Sequence, residues 1–165
     1  MPISIDEYLR TGYDPDCDFV DGEVLERNAG KRRHSYAQTL IPGWFLQRTH
    51  SLLLQPFTEQ RLRISGKRIR IPDVLITEVP IPDEEVFTSA PWMCIEIMSP
   101  DDTMAGLQDR VDEYLALGVP NVWVIDPWKH RGWMITESGW ARATDGVMRT
   151  NDARVAMPLA DVLLP

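Results

Sequence analysis

Residues 92–127, WMCIEIMSPDDTMAGLQDRVDEYLALGVPNVWVIDP, decide the fold. Residues 92–98 are an apolar run broken by one acid, Glu96, which suits a central strand covered on both faces. Residues 122–125 read as a second buried strand. Between them, residues 102–117 read as a helix: Met104, Leu107, Val111, Tyr114 and Leu115 fall on one stripe at helical spacing, and Gly118 supplies a stop. Ser99-Pro100-Asp101-Asp102 reads as a strand exit followed by a helix N-cap, with acids at the positive end of the helix dipole. The alternative for that segment is a loop beside a site. Strand, helix and strand at this spacing form a crossover unit, so the two strands are expected to be parallel.

Working outward, residues 61–64 and 68–76 read as strands, with Ile69, Ile71, Asp73 and Leu75 on one face. Residues 78–91, with Pro80, Pro82, Pro91 and four acids, read as a loop between strands. Residues 34–50 have helical apolar content, with Pro42 expected to kink or interrupt the helix. Asp21-Gly22 marks a hairpin within residues 19–25. Ser4 and Glu7 have capping-box spacing at the start of a short helix. Downstream, residues 132–136 and 139–143 read as a terminal hairpin. The expected fold is α/β (α+β): a mixed central sheet with a helix on each side.

The 165 residues suit one domain, and 44% hydrophobic content is ordinary for a folded protein. No apolar stretch reaches the roughly 18 residues of a membrane span. MPISIDEYLR lacks the basic start and apolar core of a signal peptide, so a cytoplasmic location is expected. Cys17 and Cys94 are expected to stay reduced, and no spacing suggests structural zinc. A net charge of −8 argues against broad, charge-driven nucleic-acid binding. It leaves room for a local basic patch, and basic residues cluster at 31–34 and at 61–70.

Asp73 and Glu96 are carboxylates inside otherwise apolar strands, a costly placement unless each has a partner. Pro72, which has no N–H to donate, puts Asp73 at a strand edge, a bulge or a strand start. Two such acids on neighbouring strands would make an oxygen-ligand site for Mg²⁺ or Mn²⁺, suited to phosphodiester hydrolysis. The alternative is that each acid satisfies a local backbone or arginine partner. Trp92 and Trp123 alternate with apolar residues and read as core. Trp128, Trp133 and Trp140 would offer an exposed patch on which two copies pair as a homodimer.

Three blocks carry a family resemblance: Arg70-Ile71-Pro72-Asp73-Val74; Ile95-Glu96-Ile97-Met98-Ser99-Pro100; and Tyr114 followed by Gly118-Val119-Pro120-x-x-Trp123-Val124-Ile125-Asp126-Pro127. With Asp21-Gly22-Glu23 and His34 upstream, the chain from residue 5 to 160 resembles the Uma2-like (DUF820) branch of the PD-(D/E)XK nuclease-fold proteins. The resemblance implies a restriction-endonuclease fold, DNA as partner, and Asp73 and Glu96 as ligands of Mg²⁺ or Mn²⁺. It places Glu23 and His34 near the same cleft as accessory residues. Read alone, Glu23 is equally a solvated hairpin residue, and His34 a polar contact at a helix start. The chain departs from the pattern at the lysine. Two residues after Glu96 stands Met98, and the helical position four before Tyr114 is Arg110. Arginine stabilises charge but does not act as a base. Lys67, the nearest substitute, reads as an exposed turn lysine. An active endonuclease and a non-enzymatic nucleic-acid-binding or regulatory relative both fit these residues.

Overall fold

The computed structural model describes residues 1–28 and 30–165. The chain runs α1 (Ile5–Arg10), β1 (Asp18–Val20), β2 (Glu23–Leu25), α2 (Arg32–Leu46), α3 (Thr49–Leu52), β3 (Leu54–Thr58), β4 (Leu62–Ser65), β5 (Arg68–Arg70) and β6 (Val74–Glu78). It continues with β7 (Met93–Ile97), α4 (Met104–Leu117), β8 (Asn121–Asp126), β9 (Arg131–Thr136), β10 (Gly139–Arg142), β11 (Val147–Arg149) and β12 (Ala156–Pro158).

The main sheet has the order β10-β9-β8-β7-β6-β3. Only β7 and β8 pair in parallel there, with Glu96 opposite Val124, as the crossover through α4 requires. Alternation along each strand sorts the core into two layers. Val74, Ile76, Ile95 and Trp123 pack in the cluster that holds Ala37, Ile41 and Phe45 of α2. Leu75, Cys94, Val122 and Val124 pack in the cluster of Leu107, Val111 and Tyr114 of α4. Glu96 shares its face with Cys94 and therefore lies under α4. Met104, assigned to the apolar stripe from its spacing, is 59% exposed, because α4 begins there and its first turn overhangs the sheet.

A second sheet, β2-β1-β5-β4, is antiparallel. Its hairpin turns at Asp21 and Gly22, both with positive φ (51° and 95°), the geometry that Asp-Gly supplies. The single strand expected over 68–76 is two strands in two sheets. Pro72 has no N–H for a ladder, so the chain leaves β5, crosses at residues 71–73 and enters the main sheet at Val74. Ile69 accordingly packs with Tyr8 and Phe19, while Leu75 packs under α4.

Pro42 does not interrupt α2, which runs through it. Burial of Ala37, Ile41, Pro42 and Phe45 on one face outweighs the lost hydrogen bond. The helix stops before residue 50, at Leu46. Strand β3 was not legible because Pro56 interrupts it; the strand forms at the sheet edge, where a missing donor is tolerated. Trp133 and Trp140 are not an exposed patch. They meet edge-to-face with centroids 6.2 Å apart and pack against the α4 layer.

Candidate active site

The crossing at residues 71–73 and the end of β7 bring Asp73 and Glu96 to one cavity of about 280 Å³, lined also by β1, the segment after β2, and both long helices. Asp73 is 5% exposed and Glu96 4%. Asp73 Oδ2 accepts the Ile97 N–H at 2.8 Å, which ties the acid to the backbone beside Glu96. Its Oδ1 accepts from Arg27 Nη2 at 2.9 Å and lies 3.4 Å from His34 Nε2.

Glu96 is held from α4. Arg110 and Tyr114, one helical turn apart, both face it: Arg110 Nε donates to Oε2 at 3.1 Å and Tyr114 OH to Oε1 at 2.6 Å. Arg110 also reaches Asp102 at 3.4 Å. Asp102 is not the helix cap. Thr103 caps α4, its Oγ1 accepting from Gly106 N, while Asp102 faces the cavity and accepts from the Ser99 N–H at 2.7 Å. Asp73, Glu96, Arg110 and His34 thus line one cavity. Glu23 is exposed on β2 and is not part of the cavity lining. Lys67 is exposed on its turn, and Met98 packs into the α4 layer.

Arg27 was missed from sequence. It bridges Asp73 and Glu59, the latter at 3.6 Å. Also missed was the buried strut behind the acids, in which Arg70 pairs with Asp18 at 3.0 Å and with Glu113 at 2.6 Å.

Burial, with the nearby Asp73 charge, pushes the Glu96 carboxyl up to about 7 against the opposing pull of Arg110. Burial pulls the His34 pKa down, but the Asp73 carboxylate outweighs it and leaves His34 above its usual value. Between the ordinary carboxyl value of 4.5 and about 7, the folded protein keeps a proton on Glu96 that the unfolded chain releases. Stability is therefore expected to fall as pH rises through that window. The His34 contribution is present below its ordinary value and is lost as pH rises through the raised one, in the same direction. Urea midpoints at about pH 5 and about pH 8 check this. Glu96→Gln should flatten most of the slope; an unchanged slope would remove Glu96 as its source.

A divalent cation is tested by the donors present. Six acids line the cavity (Asp18, Glu26, Asp73, Glu96, Asp102 and Asp109) against three arginines, Arg27, Arg70 and Arg110. Two buried polar atoms of the lining, Ser99 Oγ and His34 Nδ1, have no hydrogen-bond partner among the described residues. Among the described residues, no group of three or more His, Cys, Asp or Glu side chains converges as a ready-made cage. The set fits a hard cation held by two carboxylates and completed by water and a phosphate, and does not fit an all-protein cage.

A mixed sheet split by a parallel crossover, with acids at the mouth between sheet and helices, defines a restriction-endonuclease-like fold. The chain belongs to the Uma2 family, described as "Putative restriction endonuclease", whose model matches residues 5–151. A solved structure described as "Crystal structure of a putative nuclease belonging to DUF820 from Anabaena variabilis ATCC 29413" has TM-score 0.84 and 19% identity, over 98% of this chain and 97% of that one. At that identity the likeness speaks for the fold alone. A second, "cryoEM structure DrdV-DNA complex", has TM-score 0.46 and 16% identity, over 69% of this chain and 10% of the other. No curated protein matches the chain. Among the described residues no helix is long and apolar enough to cross a membrane.

Proposed function

We propose that the protein is a divalent-metal-dependent endonuclease that hydrolyses DNA phosphodiester bonds. The observation that carries this reading is the convergence of two buried acids, Asp73 and Glu96, on one open cavity that also holds three arginines. Asp73 and Glu96 would hold Mg²⁺ or Mn²⁺, which when bound supplies charge neutralisation and a water of lowered pKa. The Ile97 N–H fixes Asp73, and Tyr114 OH fixes one oxygen of Glu96, leaving the other to Arg110. Arg110 neutralises charge that builds on the phosphate. Arg32 and Arg33, next to His34 at the start of α2, make no ion pair among the described residues and offer backbone contacts to DNA. Such a local patch answers the net charge of −8.

The second reading is a non-enzymatic nucleic-acid-binding or regulatory relative. It is favoured by the Arg110–Glu96 and Arg27–Asp73 pairs, which engage both acids. Plasmid nicking in Mn²⁺ separates the two. Slow nicking by the wild type, abolished by chelator, is expected. Arg110→Lys should nick faster by about tenfold, below the full 10²–10⁴ of a positioned general base. A lysine loses its proton when its pKa is depressed, whereas arginine keeps its charge. Retarded but uncut DNA for both proteins would favour the second reading. Faster cutting by the wild type than by Arg110→Lys would make arginine itself the working group.

A further inference from the structure

Arg27 lies outside every sequence block that carries the family resemblance, yet it makes the shortest contact from a cationic side chain to Asp73. It comes from the segment after β2, far in sequence from the acids, and its side chain is 19% exposed. Its partners differ in kind: Asp73 is 7% exposed in its side chain, whereas Glu59 is 54% exposed. A guanidinium released from Asp73 would therefore still have a solvated anchor in Glu59 at 3.6 Å. In the same cavity, Ser99 Oγ and His34 Nδ1 are buried and have no hydrogen-bond partner among the described residues.

This arrangement has the properties of an exchange. In the metal-free protein the positive charge beside Asp73 is Arg27, and a cation arriving at Asp73 must compete with it. Once displaced, the guanidinium is a planar fork of donors suited to phosphate oxygens. The Ser99 hydroxyl, which has no partner among the described residues, is a further donor in the cavity lining.

We infer that Arg27 is a displaceable stand-in for the metal ion and the phosphate hook of this site, so that a divalent cation and a phosphodiester bind with positive coupling. The inference rests on the metal-site reading above and adds to it a positioning residue and a binding order. The cation alone binds weakly because it must displace Arg27. With a phosphodiester present, the freed guanidinium gains a partner and the same cation binds more tightly. By linkage, the cation strengthens phosphodiester binding by the same factor.

The test counts free Mn²⁺ by its electron paramagnetic resonance signal during titration of the intact protein, with and without dimethyl phosphate. For the wild type, dimethyl phosphate should tighten Mn²⁺ binding at least about fivefold, the lower end of couplings between linked sites. Arg27→Gln should bind Mn²⁺ more tightly than the wild type without the ester and should show a clearly smaller enhancement, the part that comes from the ester meeting the cation directly. Arg27→Lys keeps a charge without the fork and should fall between them. Thermal melts establish that each variant is folded, and Arg27→Lys carries the test if Arg27→Gln is not. Mn²⁺ binding by Arg27→Gln that is no tighter than wild type, or enhanced by the ester as much as the wild type, overturns the inference and leaves the metal site standing. Absence of Mn²⁺ binding in all three proteins, with or without ester, overturns the metal-site reading and the inference with it.

Discussion

Asp73→Ala is expected to reduce Mn²⁺-dependent nicking by about a hundredfold or more and to remove Mn²⁺ binding. A metal acting on a phosphoryl oxygen supplies several kcal/mol of transition-state stabilisation, and each ~1.4 kcal/mol is tenfold in rate. Asp73 is held from three residues: the Ile97 N–H at 2.8 Å, Arg27 at 2.9 Å and His34 at 3.4 Å. Truncation leaves those donors without their acceptor and leaves Glu96 as the remaining member of the acid pair. The same change also frees Arg27, whose remaining acid partner is the solvated Glu59. Some loss of stability should accompany it, so nicking is to be compared below the melting transitions of both proteins. Nicking that survives in Asp73→Ala at the wild-type rate would exclude the two-acid site as the source of hydrolysis.

How legible the site was depended on where each residue sits relative to regular structure. Glu96, Arg110 and Tyr114 belong to one strand–helix unit. An apolar strand with a single acid, and a helix whose residues four apart share a face, place all three together without long-range knowledge. Asp73 announced itself through Pro72, which marks a strand start. The same proline concealed the fold, because the hydrophobic pattern runs on from Ile69 to Leu75 across a change of sheet. Periodicity records which face is apolar, and both sheets bury that face.

Arg27 and Asp18 have partners about fifty residues away in sequence, and Asp102 lies in the irregular turn before α4. A loop arginine carries no period, so nothing local distinguishes Arg27 from Arg32 or Arg33. One compositional signal did bear on it. Fourteen of the seventeen basic residues are arginine, the side chain suited to planar pairing with buried carboxylates. That excess fits paired acids better than a merely solvated basic surface, and Arg27, Arg61, Arg68, Arg70 and Arg110 all pair with buried or partly buried carboxylates. Of the basic cluster at 61–70, three arginines are engaged this way.

Arg70→Met is expected to lower folding stability by about 3 kcal/mol, the lower end for breaking a buried ion pair. Arg70 is 7% exposed and ties the small sheet to α4. Its Nη1 donates to Asp18 Oδ2 on β1 at 3.0 Å, while Nε and Nη2 donate to Glu113 on α4 at 2.6 and 3.0 Å. Removing it does not strand Glu113, which keeps Arg68 at 2.6 Å. It does strand Asp18, left with the Ile71 N–H at 3.2 Å in a place where burial already raises its carboxyl pKa. Without Arg70 that pKa rises further, so the penalty should be smaller at about pH 5 than at about pH 8, where Asp18 must stay charged or take up a proton. Urea unfolding at both pH values measures this. Adding Asp18→Asn to Arg70→Met should recover part of the loss, because the stranded charge and not the missing contact is the larger cost. A loss below about 1 kcal/mol at the higher pH would mean that water reaches Asp18, and that the small sheet is held over the cavity by packing of Tyr8, Phe19 and Ile69 rather than by the charged strut.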